Sequence, residues 1–150
     1  MKVVLQKVSK AQVECNGETR AIEKGYCLLV GVSNDSTIND ALKLAEKIAA
    51  SRNFEDEQGK INKSIQSVDG EILSISQFTL YADVKKGNRP SFTKSAKQDH
   101  ALELYNRFNE HLRAQGLHVK EGFFGGMMDV TLCNEGPITI IYESVGGSIV

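Results

Sequence analysis

The sequence predicts an α+β fold in which mixed β-sheet packs against two main helices. Runs rich in β-branched residues occur near both ends of the chain, and two segments with apolar residues at helical spacing lie between them. Strands and helices do not alternate regularly, and no glycine-rich phosphate loop follows a strand, so a doubly wound nucleotide-binding sheet is not expected. With 150 residues and no composition shift that marks a linker, residues 1–150 are expected to form one domain.

The first part of the chain predicts a hairpin and a central strand. Residues 2–15 are rich in β-branched side chains and lead into Asn16-Gly17, the strongest short signal of a two-residue hairpin turn. The chain then returns over residues 18–22. The run 26–32 is apolar on both faces, as expected of a strand that is covered on both sides.

The remaining elements follow from periodicity. Residues 33–36 offer turn and N-cap chemistry for a first helix, and Gly116 stands at the C′ position of a second helix. The predicted elements are a helix over 37–51, a loop with short elements over 52–70, a strand over 72–80, a helix over 96–114, and strands over 117–120, 127–133 and 138–142. Residues 146–148 are expected to fray.

Composition and reactive residues exclude several function classes. The net charge is −1 and no apolar run is long enough to span a bilayer, so we expect a cytoplasmic protein with no membrane partner and none bound by bulk charge. The cysteines Cys15, Cys27 and Cys133 form no CxxC and are interpreted as mostly buried small hydrophobes. His100 and His111 lie roughly 16 Å apart along one helix. No metal site or cofactor is predicted.

One stretch departs from the balanced charge. Between positions 85 and 97 there are five basic residues and no Asp or Glu, and the basic residues are Lys85, Lys86, Arg89, Lys94 and Lys97. Ammonium and guanidinium groups, hydroxyls and one aromatic ring could bind the phosphates of a nucleic acid. On charge alone a solvated loop is the favoured interpretation, and polyanion binding needs independent support.

Two further segments carry possible chemistry. Gly136-Pro137 lies between two strand-like runs, which predicts a plain hairpin turn, or a backbone that points its carbonyl groups at a ligand. In the segment 76–80, strand alternation would place Ser76 and Phe78 on one face and Gln77 and Thr79 on the other. Thr79 could act as a nucleophile only beside a base, and no motif places one there, so a sheet-edge threonine is the alternative.

Taken together, three motifs in this order resemble the D-aminoacyl-tRNA deacylase family. They are Ser76-Gln77-Phe78-Thr79-Leu80, Asn88-Arg89-Pro90-Ser91-Phe92 and Asn134-Glu135-Gly136-Pro137-Ile138-Thr139. The match extends over nearly the whole chain. Asn53, Ile61 and Ile138 depart from the usual residues, and none of them belongs to the motif positions that carry the expected function.

The resemblance implies a curved, barrel-like sheet and a homodimeric enzyme. Such an enzyme hydrolyses the ester that joins a D-amino acid to the terminal adenosine of tRNA, and achiral glycyl-tRNA is expected as a side substrate. The residues that correspond to the family's pocket are Ser76, Gln77, Phe78 and Thr79 of one subunit, with a cis Gly136-Pro137 inserted from the partner. The basic stretch would lie near the acceptor end of the tRNA.

The implied chemistry needs no catalytic histidine. The ester is already activated, and its neighbouring 2′-hydroxyl can position or activate the attacking water. The candidates for oxyanion donors are the backbone amides around Phe78 and Thr79. A fixed backbone wall at Gly136-Pro137 would exclude an L side chain.

Two alternatives stay open at this point. One is the same reaction with Thr79 as a covalent nucleophile. The other is a dimer that binds tRNA or other RNA through the basic stretch and hydrolyses nothing. DNA is not expected as a partner in either case.

Overall fold

The computed structural model describes all 150 residues, and most elements lie close to their predicted positions. The strands are β1 (Lys2–Cys15), β2 (Glu18–Ile22), β3 (Gly25–Gly31), β4 (Arg52–Glu55), β5 (Ile61–Ser64), β6 (Glu71–Ser76), β7 (His118–Glu121), β8 (Asp129–Val145) and β9 (Ser148–Ile149). The helices are α1 (Ile38–Ala50) and α2 (Gln98–Ala114). Two short 3-10 turns span Gln66–Val68 and Phe78–Tyr81.

A seven-stranded mixed sheet forms the centre of the molecule. Its order is β7-β6-β3-β1-β8-β9, and β2 also pairs with β1. Strand β1 runs antiparallel to β2, β3 and β8, whereas β3, β6 and β7 run parallel. Because β1 is 14 residues long, its first half pairs with β3 and its second half with β2, while β8 follows its other edge. The α+β class is confirmed.

Irregular pairing lets this sheet curl. The register between β1 and β8 shifts between Gln6 and Val8 and again between Val8 and Lys10. Before the shifts the buried residues Val3 and Leu5 belong to a core cluster of 19 residues, and after them Ala11 and Val13 belong to a second cluster of seven. Bulges bend a strand and change the face that its residues present. The sheet thus has the curled half-barrel form that the resemblance implies.

Both helices pack on the larger cluster, and α1 is also tied to the end of β8. Thr37 is its N-cap and forms a capping box with Asp40, so the cap lies one residue beyond the predicted segment 33–36. Asp40 Oδ1 also accepts hydrogen bonds from Ser144 Oγ and from the Gly147 N–H, both at 2.7 Å. Burial raises the pKa of Asp40, but these hydrogen bonds outweigh it and hold the pKa below its usual value.

Several expectations about the C-terminal part were wrong. The predicted strands 127–133 and 138–142 are parts of one strand, β8. Residues 146–148 do not fray, since β9 pairs with Ser144 and Val145 and Asp40 holds Gly147. Cys133 is exposed, because it lies on the poorly covered half of β8, whereas Cys15 and Cys27 are buried as expected. None of the helices is long and apolar enough to cross a membrane.

Candidate active site

The segment after β6 forms a tight turn and not the continued strand that was predicted over 72–80. The last ladder bond on this side runs from the Gln77 N–H to the Val30 carbonyl at 2.8 Å, after which the 3-10 turn folds back over the end of β3. A Cβ at Gly31 would lie 2.9 Å from the Cβ of Leu80. The missing side chain of Gly31 therefore makes room for the turn, and the predicted strand alternation of residues 76–80 does not apply.

The turn exposes an aromatic ring and a hydroxyl. Phe78 is 55% exposed, and the Gln77 side-chain amide donates to Thr79 Oγ1. That amide is the hydroxyl's one protein partner, and an amide does not accept a proton near neutral pH. Thr79 accordingly has no general base bonded to it.

The turn leaves two backbone N–H groups ahead of its first hydrogen bond. That bond runs from the Leu80 N–H to the Gln77 carbonyl, and the N–H groups of Phe78 and Thr79 come before it in the chain.

The basic stretch folds into a loop closed by a two-residue bridge. Asp83 and Ser91 exchange backbone hydrogen bonds of 2.7 and 2.9 Å. Lys85, Lys86 and Arg89 lie exposed at the tip, and no carboxylate is within ion-pair distance of them. Lys94 differs, since its Nζ lies 3.7 Å from Asp83 Oδ2. The Lys85 N–H, with the Lys94 charge, holds the pKa of Asp83 below its usual value.

This loop packs directly on the turn. The rings of Phe92 and Phe78 meet edge to face, with centroids 5.2 Å apart. Ser95 Oγ donates to the Phe78 carbonyl at 3.0 Å. Asn34, in the loop that leads to α1, donates its side-chain amide to the Thr93 carbonyl at 2.8 Å. The structure thus brings residues 76–79 and the basic stretch into one continuous surface.

Gly136-Pro137 forms a bulge within β8. Val8 of β1 pairs with Asn134 and Gln6 pairs with Thr139, so the four residues 135–138 lie opposite Lys7 alone. The Gly136-Pro137 peptide bond is cis, as the resemblance implies, and Gly136 has φ +124°. The predicted hairpin turn was wrong, because β1 continues on both sides of the bulge and keeps β8 in the sheet.

Within one chain the bulge and the turn lie far apart. Ser76, Val30, Val3 and Tyr142 occupy one row across four strands, whereas the bulge lies on the row of Lys7, four residues further along β1. Strand spacing and rise per residue put the two segments about 14 Å apart across the sheet and about 13 Å along it, or roughly 20 Å measured over the surface of the curled sheet. The chain does not bring Gly136-Pro137 to its own Thr79.

Sequence reasoning missed a residue beside each segment. Lys7 is 3% exposed, and its Nζ lies 3.8 Å from Glu135 Oε1 and 5.3 Å from the Phe54 ring centroid. Alternation along β1 places Lys7 on the same face as the buried residues Val3 and Leu5, and this was the available signal that it points inward. Ser95, bonded to the turn, gave no signal of its own. No group of three or more His, Cys, Asp or Glu could hold a metal ion.

This chain is similar to several known proteins over nearly its whole length. Two proteins described as D-aminoacyl-tRNA deacylase, from Staphylococcus aureus strains bovine RF122 / ET3-1 and MRSA252, are 57% and 56% identical over 149 residues, which is 99% of each chain. A solved structure named c-Myc DNA Unwinding Element Binding Protein has a TM-score of 0.88 and 42% identity, and covers 96% of this chain and 99% of its own.

A second solved structure shares the fold. It is described as a probable eukaryotic D-amino acid tRNA deacylase, with a TM-score of 0.83 and 19% identity over 95% of this chain and 98% of its own. The family model for D-Tyr-tRNA(Tyr) deacylase matches residues 4–143. That match spans nearly the whole chain, and the relatives agree with it. The chain therefore belongs to the D-Tyr-tRNA(Tyr) deacylase family.

Proposed function

We propose that this protein hydrolyses the ester bond of D-aminoacyl-tRNA and releases free tRNA and the D-amino acid. The observation that carries the proposal is the contact between the basic stretch and the turn at Phe78. A tRNA bound by its phosphates on the basic stretch would have its acceptor end delivered to the exposed turn. Membership of a deacylase family, with relatives described as D-aminoacyl-tRNA deacylases, supports the same reaction.

The phosphate contacts come from five side chains on that stretch: Lys85, Lys86, Arg89, Lys94 and Lys97. Lys85, Lys86 and Arg89 are free to bind a polyanion at once, because no carboxylate engages them. The Lys94 ammonium group also forms an ion pair with Asp83. These groups supply affinity that does not depend on base identity.

The pocket is completed by a second copy of the chain. Because a single chain holds Gly136-Pro137 roughly 20 Å from its own turn, both segments can face one amino acid only if the bulge comes from a partner subunit. The bulge lies on a strand whose exposed apolar side chains Val130, Ile141 and Val145 suit a protein interface. A two-fold homodimer would give each turn the partner's bulge.

In the resulting site the protein positions the substrate and the substrate assists the chemistry. Water attacks the ester carbonyl with help from the neighbouring 2′-hydroxyl of the terminal adenosine. The N–H groups of Phe78 and Thr79 stabilise the developing oxyanion. Ser76 ends the strand that carries the turn, and Gln77 bonds to the Thr79 hydroxyl. No metal or cofactor has a step in this mechanism.

Selectivity arises by exclusion. A backbone wall at Gly136-Pro137 leaves room for the α-substituent of a D-amino acid and collides with an L side chain. Glycine has no side chain to exclude, so glycyl-tRNA is a side substrate. A wall made of backbone acts alike on every L side chain, whatever its chemistry.

A second candidate is a nucleic-acid-binding dimer without hydrolytic activity. The exposed basic stretch favours it, and the structure at 42% identity carries the name of a DNA-element-binding protein. In that case residues 85–97 would be the whole site, and the turn would only support the loop. Binding of tRNA alone and hydrolysis of its ester then make different predictions for the same protein.

Hydrolysis of D-Tyr-tRNA, compared with L-Tyr-tRNA under the same conditions, tests the proposal. We expect D-tyrosine to be released at a rate proportional to the enzyme concentration, and little L-tyrosine to be released. Binding of tRNA without release of either amino acid would establish the second candidate. Equal release from both substrates would refute the wall at Gly136-Pro137.

A further inference from the structure

Ser95 is the side chain that joins the basic loop to the backbone of the turn. Its Oγ donates a hydrogen bond of 3.0 Å to the Phe78 carbonyl. The function proposed above assigns this hydroxyl no role, and the serine belongs to none of the three family motifs. Ser95 is half-buried and lies three residues before Gln98, the first residue of α2.

The bond acts on a particular peptide group. The Phe78 carbonyl and the Thr79 N–H belong to one planar unit, so fixing the carbonyl also fixes the direction of the N–H. In a trans peptide the two point in opposite directions. A donor on the carbonyl oxygen also polarises the unit and makes the N–H a stronger donor. Ser95 therefore sets both the aim and the strength of the Thr79 N–H.

The hydroxyl is held in place before any ligand arrives. The Asn34 N–H donates to the Lys94 carbonyl and the Ala96 N–H donates to the Val32 carbonyl, both at 3.0 Å. These bonds flank Ser95 on either side, and the Ser95 N–H donates to the Phe92 carbonyl at 3.0 Å. Because its own N–H and both neighbouring residues are hydrogen-bonded, Ser95 loses little freedom when its hydroxyl bonds to the turn.

We infer that Ser95 is a positioning residue for the deacylation, holding the Thr79 N–H toward the oxyanion that forms as water attacks the ester. The inference rests on the proposed function. Such a donor helps the transition state more than the bound substrate, because the negative charge develops only during the reaction. Loss of the hydroxyl should consequently lower kcat and leave KM nearly unchanged.

The test compares Ser95→Ala and Ser95→Thr with the parent enzyme on D-Tyr-tRNA. Removing a whole oxyanion donor costs about 10²–10³ in kcat. Ser95→Ala keeps the Thr79 N–H but no longer fixes its direction. We therefore expect a kcat loss of roughly tenfold, with KM within about twofold of the parent. Ser95→Thr keeps the hydroxyl and should recover most of the loss. Ser67→Ala is the matched control, since Ser67 Oγ donates to the Ser64 carbonyl at 2.8 Å in a turn outside the site.

A second measurement needs no substrate. The amide resonance of Thr79 should shift in Ser95→Ala and stay in place in Ser67→Ala, because only the first variant removes a donor from the Phe78 carbonyl. A kcat within twofold of the parent in Ser95→Ala, or an unmoved Thr79 resonance, would overturn the role of Ser95. Failure of the parent enzyme to hydrolyse D-Tyr-tRNA would instead overturn the proposed function, and the resonance would still test the geometry.

Discussion

The turn at Phe78–Tyr81 and the bulge at Gly136-Pro137 are held in different ways. The turn is bonded to its own chain through Ser95, the Phe92 ring and the end of β3. The bulge is held only by the parts of β8 on either side of it, which pair with β1, and Gly136 and Pro137 are exposed. A segment fixed by its own chain can present donors accurately, whereas an exposed segment on an open strand is suited to contact another molecule. In the proposed dimer, each pocket would combine the turn of one chain with the bulge of its partner.

The two regions also differ in charge. The turn is joined to the basic stretch, whereas the bulge has Glu135, which is paired with the buried Lys7. Neither region places a histidine or a carboxylate on the Thr79 hydroxyl. The comparison leads to four predictions, in order of decreasing effect.

The largest effect should come from changing the substrate. If both regions supply only walls and amide donors, removal of the 2′-hydroxyl from the terminal adenosine should slow deacylation of D-Tyr-tRNA by about 10²–10⁴-fold, the usual contribution of a general acid or base. Single-turnover release of D-tyrosine measures it. Removing the 2′-hydroxyl of the preceding nucleotide is the control. A loss of less than tenfold would show that the protein contains a base after all.

Mixing two damaged subunits should restore activity if the regions meet across a dimer. Gly31→Ala displaces the turn, because the new Cβ would lie 2.9 Å from the Cβ of Leu80. Gly136→Ala distorts the bulge, because φ is +124° and the Cβ would lie 3.0 Å from Ile138 Cγ1. Each variant alone should lose most activity. After subunit exchange, half of the dimers are mixed and hold one intact site of two, which gives about a quarter of the parent activity.

Gly59→Ala is the matched control for the strain. Gly59 also has positive φ, at +76°, but a Cβ there meets nothing within 4 Å. It should keep full activity and lose stability of order 1 kcal/mol through the backbone strain alone. Both site variants must still unfold cooperatively. A mixture no more active than its components would contradict the cross-subunit pocket.

Charge on the turn side should control the salt dependence of tRNA binding. Neutralising Lys85, Lys86 and Lys94 together should reduce the slope of log K against log salt by roughly two to three units, since each phosphate contact contributes about 0.9 on a duplex and less on single strands. Filter binding over a range of salt concentrations measures the slope. Neutralising Lys43, Lys47 and Lys60, which are exposed elsewhere, should leave it unchanged. An unaltered slope in the first variant would remove the phosphate role from this loop.

The smallest effect is expected at Thr79 itself. Because its hydroxyl bonds only to the Gln77 amide, Thr79→Ala should cost no more than the loss of one hydrogen bond and stay within about tenfold of the parent kcat. Steady-state deacylation of D-Tyr-tRNA measures it. A covalent mechanism would instead abolish activity, and an acyl group trapped on Thr79 would establish that alternative.

The sequence alone determined the features that depend on neighbours along the chain. Asn16-Gly17 specified the hairpin of β1 and β2, because both residues take up the positive φ that such a turn needs. Apolar spacing located α1 and α2 to within two residues. The apolar run of β3 identified a strand that is covered on both faces, with Leu28 in the larger core cluster and Cys27 in the smaller one. The three motifs identified the family, which the comparisons confirm.

Only the tertiary structure decided where β6 ends, how Gly136-Pro137 is held and what lies next to the turn. Strand β6 stops at Ser76 because β3 ends beside it and Gly31 leaves room for Leu80. Gly136-Pro137 is a bulge because β1 is long enough to pair with β8 on both sides of it. Ser95 reaches Phe78 through a fold that brings residues 17 positions apart into contact. Local sequence propensity does not describe contacts with distant parts of the chain. The same residues can form a hairpin turn or a bulge, and the difference is only whether another strand is present to continue the ladder.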